Sequence, residues 1–95
     1  MNDMAATYSG SVPTIRARVA KGGMEIAGVE VLDISIAGCM LQWNGWRLKE
    51  EDRVRVSFPT LNNLPATVLW SEQDRLGLLF TQPLHEAVYE HLIKG

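Results

Sequence analysis

Between Val31 and Gly38 an apolar run is broken by two short polar side chains and a glycine, in the order Asp33-x-Ser35-x-x-Gly38. A carboxylate and a hydroxyl two residues apart offer several hydrogen-bond acceptors and one donor, and a neighbouring glycine lets a ligand approach the backbone. Such a set suits a polar edge rich in N–H donors, as guanine presents with its N1–H and N2–H₂. The same residues also suit a corner between strands, with Asp33 and Ser35 accepting from nearby backbone N–H groups and Gly38 supplying a positive φ or a bulge. Both readings stand on the residues alone.

The other reactive side chains point away from catalysis. His85 and His91 are six apart, on different faces of a helix, so they do not form a metal pair, and neither a glycine-rich phosphate loop nor a nucleophile elbow occurs. Cys39 is the one cysteine, which excludes an intramolecular disulfide and a cysteine zinc site, and its apolar setting reads as buried and inert. No enzyme activity, metal or cofactor is expected. Arg16 and Arg18 are either a solvated strand face or a pair of anion contacts facing Asp33 and Ser35. Trp43 and Trp46 flank Asn44-Gly45, either as packed aromatics or as an exposed patch that anchors a partner protein.

Ninety-five residues fit one domain with a modest core, and 46% hydrophobic against 21% charged residues is the balance of a folded globular chain. The formal charge of −2 argues against coating nucleic acid, which needs clustered Lys and Arg. A small barrel binding single strands through aromatic platforms is therefore a distant third function. The N-terminus lacks a basic cluster followed by an apolar stretch, and no apolar run is long enough to span a bilayer, so a cytoplasmic protein without membrane insertion is expected.

The elements that must position these residues follow from periodicity. Residues 1–12 are small and polar, without period, and are expected to form a flexible arm; the domain is expected over 13–95. Ile15, Ala17 and Val19 alternate with Arg16 and Arg18 as a first strand, and Gly22-Gly23 turns into a second over Met24 to Leu32, where Gly28 suggests a bulge. Cys39, Leu41 and Trp43 form a third, and Asn44-Gly45 predicts a tight hairpin with Trp46 and Leu48 starting the return. Val54, Val56 and Phe58 alternate with Arg53, Arg55 and Ser57 in a fourth strand, and Asn62-Asn63 predicts the next turn. Ala66 to Ser71 and Leu76 to Thr81 complete the set, the last reading as covered on both faces and Trp70 as core. After Pro83, the spacing of Leu84, Ala87, Val88, His91 and Leu92 predicts a helix over about 83 to 94, with His91 half-buried. Six short strands and a closing helix make a small antiparallel β-barrel.

The motifs then resemble a known family. Asp33-x-Ser35-x-x-Gly38 matches the D/NxSxxG signature of PilZ domains and lies between two strands as it does there. Leu48-Lys49-Glu50-Glu51-Asp52-Arg53-Val54 looks like that family's L-x-x-G-D-x-V turn, Ala66-Thr67-Val68-Leu69-Trp70 like its A-x-V-x-W strand, and Arg75-Leu76-Gly77-Leu78-Leu79-Phe80 like its R-x-G-[LV]-x-F strand. The resemblance implies a mainly β, six-stranded antiparallel PilZ-like barrel with one C-terminal helix. It also implies a non-enzymatic module of bacterial cyclic-di-GMP signalling, with cyclic di-GMP bound on the barrel exterior by Asp33, Ser35 and Gly38.

In the family an RxxxR motif before the first strand completes that site, its guanidinium groups contacting phosphates and guanine faces. Residues 1 to 13 contain no arginine, and Arg16 and Arg18 lie two apart within the first strand. Two missing charge-assisted contacts, at about 1.5–3 kcal/mol each, weaken such a ligand by on the order of a hundredfold or more. Two functions follow: a cyclic-di-GMP receptor in which Arg16 or Arg18 stands in at a phosphate, and a nucleotide-independent adaptor of the pilus or motility type that docks a protein partner through Trp43 and Trp46.

Overall fold

Alternation of small β-branched and aliphatic residues with charged ones dictates strands with one dry face, and a computed structural model describes this for residues 15–94. The elements are β1 (Arg16–Lys21), β2 (Met24–Ile34), β3 (Gly38–Gln42), β4 (Arg53–Phe58), β5 (Leu61–Glu72), β6 (Arg75–Phe80) and α1 (Glu86–Lys94). The strands close into an antiparallel barrel in the order β1-β2-β3-β6-β5-β4, with β1 pairing β4. The expected architecture of six strands and one C-terminal helix is the one observed. The expected N-terminal arm lies outside the described residues.

Val19, Leu41, Val56, Val68, Leu76 and Leu78 are the largest fully buried side chains, and they come from five strands pointing into one core. Each such burial contributes about 1.5–3 kcal/mol. Phe58 and Phe80 meet edge to face inside it, centroids 6.1 Å apart.

Bulges set which residues face outward. Gly28, at φ +70°, sits in a bulge where Ala27 and Gly28 oppose Arg18 alone. A second shift lies at Leu32, between the pairs Val31↔Leu41 and Asp33↔Met40, and a third at Leu69, between Val68↔Leu78 and Trp70↔Gly77.

Several sequence expectations are corrected. Asn44-Gly45 does not form a hairpin, because β3 is flanked on both edges by β2 and β6 and no return strand can pair with it. The chain instead crosses to β4, and Gly45 is needed for clearance: a Cβ there would meet Trp43 Cζ2 at 2.6 Å and collide with Ile26. Asn62-Asn63 is a bulge inside β5, with Asn63 at φ +56°, and the turn falls on Pro59-Thr60. That bulge covers Ser57, which is buried rather than on the outer face; its Oγ accepts from the Asn63 N–H at 2.8 Å. Strand β2 runs on through Asp33 and Ile34. Strand β6 is not covered on both faces, since Leu79 is 43% exposed.

The helix starts at Glu86, because the residues before it are committed elsewhere. The Leu84 N–H donates to the Ile36 carbonyl at 2.8 Å, and His85 Nδ1 accepts from the Ala87 N–H at 3.2 Å as a helix cap. His91 is exposed, and Leu84 and Leu92 are the residues that enter the core. Tyr89 packs against that core, and its hydroxyl lies 3.4 Å from the Ile34 carbonyl, so the helix sits at the end of the β2–β3 hairpin.

Candidate functional site

The β2–β3 hairpin turns through residues 35–37, and Ser35 makes the turn. Its N–H donates to the Gly38 carbonyl at 2.8 Å, while its Oγ accepts from the Ala37 and Gly38 N–H groups at 3.2 and 3.3 Å. The Ala37 carbonyl accepts from the Phe80 N–H at 2.9 Å, so the turn is tied to β6 as well as to the segment before the helix. The φ of Gly38 is not positive; a side chain there would collide with the Leu78 carbonyl oxygen of β6. Of the two structural roles open to Gly38, a positive φ or a bulge, it serves neither. It permits close strand pairing.

Asp33 is exposed, with Oδ1 accepting from the Ile34 N–H at 3.0 Å. The register places it in a row across four strands: Asp33 opposite Met40, Met40 opposite Gly77, and Gly77 opposite Trp70. Gly77 has no side chain, and the Trp70 indole lies in the space left, so close that a Cβ at residue 77 would run into its Nε1 and Cε2. Trp70 is therefore a half-buried wall on the barrel exterior, not a core residue, and the Leu69 bulge is what turns it outward.

These residues border a pocket of about 310 Å³, lined by Asp33, Ser35 and Gly38 on one side and by Met40, Leu69, Trp70 and Leu79 on the other. Cys39 contributes to the same wall, but its thiol is turned inward and burial pushes it up to about 12. Among the described residues, Asp33 is the one charged member of the lining.

The arginines do not join this pocket. Arg18 Nε pairs with Glu25 Oε2 at 3.1 Å, and Arg16 stands opposite Glu30 and borders a separate depression with Gln42 and Trp43. Trp43 and Trp46 do meet, edge to face at 5.2 Å and 83°, with Trp43 Nε1 donating to the Trp46 carbonyl at 2.9 Å. They are not an exposed patch: Trp43 is 5% exposed and Trp46 half-buried, because the crossover folds them onto the core. Among the described residues no group of three potential metal ligands gathers, and no helix is long and apolar enough to cross a membrane.

Trp70, Leu69, Leu79 and Met40 were the residues missing from the sequence-based site. A glycine inside an apolar strand, Gly77, is the signal that could have found them, since it marks a close approach by something across the sheet.

No curated protein and no solved structure matches the chain. The PilZ domain family model matches residues 12–95, which takes in all six strands and the helix. With the barrel topology and the Asp33-Ser35-Gly38 hairpin in place, the chain belongs to the PilZ domain family.

Proposed function

We propose that this PilZ domain is a non-enzymatic module of cyclic-di-GMP signalling that works as an adaptor, docking onto a protein partner without itself holding the nucleotide. The observation that carries this reading is the charge of the pocket beside the Asp33-Ser35-Gly38 hairpin: among the described residues, its one charged lining residue is a carboxylate. A cyclic dinucleotide brings two phosphates, and bidentate guanidinium contacts are what a protein ordinarily uses to hold them. Arg18 is engaged by Glu25, Arg16 faces Glu30, and residues 1 to 13 contain no arginine. With no Lys or Arg among the described lining residues, the phosphates of such a ligand have no charge-assisted partner there, whatever Asp33 offers to a guanine edge.

Direct binding of cyclic di-GMP is the second reading, and it is favoured by Asp33, Ser35 and Gly38 sharing one pocket with an indole face. It requires Arg16 or Arg18 to leave its present neighbours and reach a phosphate. Titration calorimetry separates the two. The adaptor gives no heat with cyclic di-GMP up to high micromolar concentration, whereas saturable micromolar binding weakened in Arg16→Ala or Arg18→Ala would replace the adaptor reading by the receptor one.

A further inference from the structure

Four large hydrophobic side chains are exposed among the described residues, and two of them line one pocket. Leu69 (47%) and Leu79 (43%) line the pocket beside Trp70, and Ile36 (44%) stands in the turn between its lining residues Ser35 and Ala37; Met24, the fourth, is at the β1–β2 turn. Exposed apolar side chains scattered singly need no explanation, but a cluster around an indole wall marks a surface that something covers.

The occupant is constrained by what the barrel offers. The barrel is closed, so no free strand edge is available for an added strand, and recognition must run through side chains. Ser35 has its hydroxyl committed to its own turn through the Ala37 and Gly38 N–H groups. Asp33 uses Oδ1 on the Ile34 N–H, and its second oxygen has no partner among the described residues. The wall thus presents one acceptor anion beside an apolar surface, and the complementary chemistry is one cation beside an apolar or aromatic group. A volume of about 310 Å³ is at the small end for a ligand site, room for one or two anchoring side chains.

We propose that this pocket is the docking site for a segment of a partner protein that carries a Lys or Arg beside an apolar or aromatic anchor. The inference rests on the adaptor reading and gives that adaptor its contact surface. The anchor lies against Leu69, Leu79 and the Trp70 ring, and the Lys or Arg pairs with Asp33, an arrangement in which a guanidinium also stacks on the indole. It moves the partner surface from the Trp43–Trp46 crossover to the outer face of β2, β3, β6 and β5.

The test uses the full chain as bait for a random dodecapeptide library, followed by titration of a synthetic peptide with the enriched sequence. The expected result is enrichment of peptides that combine Lys or Arg with an apolar or aromatic residue, an affinity reduced about tenfold or more in Leu79→Asp and in Trp70→Ala, and a switch to acidic peptides when Asp33→Lys is the bait. Leu79 and Asp33 are both exposed, and circular dichroism confirms that each variant keeps its strands. Failure of any peptide to enrich, enriched peptides indifferent to both Leu79→Asp and Asp33→Lys, or self-association of the chain that Leu79→Asp abolishes would each overturn the proposal. Because cyclic di-GMP is titrated separately, a nucleotide heat signal sinks the adaptor reading itself, while silence there with library peptides bound elsewhere sinks only this assignment of the surface.

Discussion

The Asp33–Gly38 hairpin and the Trp43–Trp46 crossover lie a few residues apart in sequence, and each pairs glycine with residues able to bind something. They end on opposite sides of the barrel wall. In the crossover the glycine lets the chain press down on Trp43, which goes into the core and is 5% exposed. At the hairpin the glycines lie within the sheet, Gly38 under the Leu78 carbonyl and Gly77 under the Trp70 ring, and the apolar side chains around them stay outside. A tryptophan's role is thus set by the direction its strand position gives it, which a single bulge at Leu69 reverses for Trp70.

That contrast can be broken by substitution. The largest effect is expected from Trp43→Ala, which empties a core site and costs about 3–5 kcal/mol in urea unfolding. Trp70→Ala should cost much less and show instead as lost peptide binding; equal destabilisation by both would remove the distinction between core and wall. Gly38→Ala follows, at about 1–3 kcal/mol, because the added methyl meets the backbone of β6 and not a flexible side chain.

Cys39 tests which side of the wall its side chain occupies. Its thiol is raised by burial from 9.0 to about 12, so the folded state holds the proton more tightly than the unfolded one. Stability from this group is complete below about pH 9 and falls as pH rises toward 12, by about 1 kcal/mol at pH 10. From pH 8 to 10 the unfolding free energy of the wild type in urea should fall by that amount relative to Cys39→Ala, and parallel curves would place the thiol in the pocket and not in the core. Smallest of all, Leu79→Asp should shift stability by no more than about 0.5 kcal/mol, as an exposed position.

The barrel was legible because alternation such as Ala17/Val19 and Val54/Val56 reports a half-buried strand directly. The Asp33-Ser35-Gly38 hairpin was legible from three residues whose local bonding is short-range. Errors came where a local signal met a non-local constraint. Asn44-Gly45 reads as a hairpin, yet strand order leaves β3 no free edge. The row from Asp33 through Met40 and Gly77 to Trp70 depends on register and on bulges at Leu32 and Leu69, neither of which carries a glycine to announce it. Helix length was overestimated because Leu84 bonds to Ile36, a partner far away in sequence.

The central claim, that this PilZ pocket serves a protein and not a nucleotide, is tested most directly by nuclear magnetic resonance on the labelled chain. The Gly38 amide and the Trp70 indole N–H are followed while cyclic di-GMP, and then a library-selected basic–apolar peptide, is added. The account predicts that both signals stay in place with the nucleotide and move with the peptide. Saturable shifts of both signals with cyclic di-GMP would contradict it.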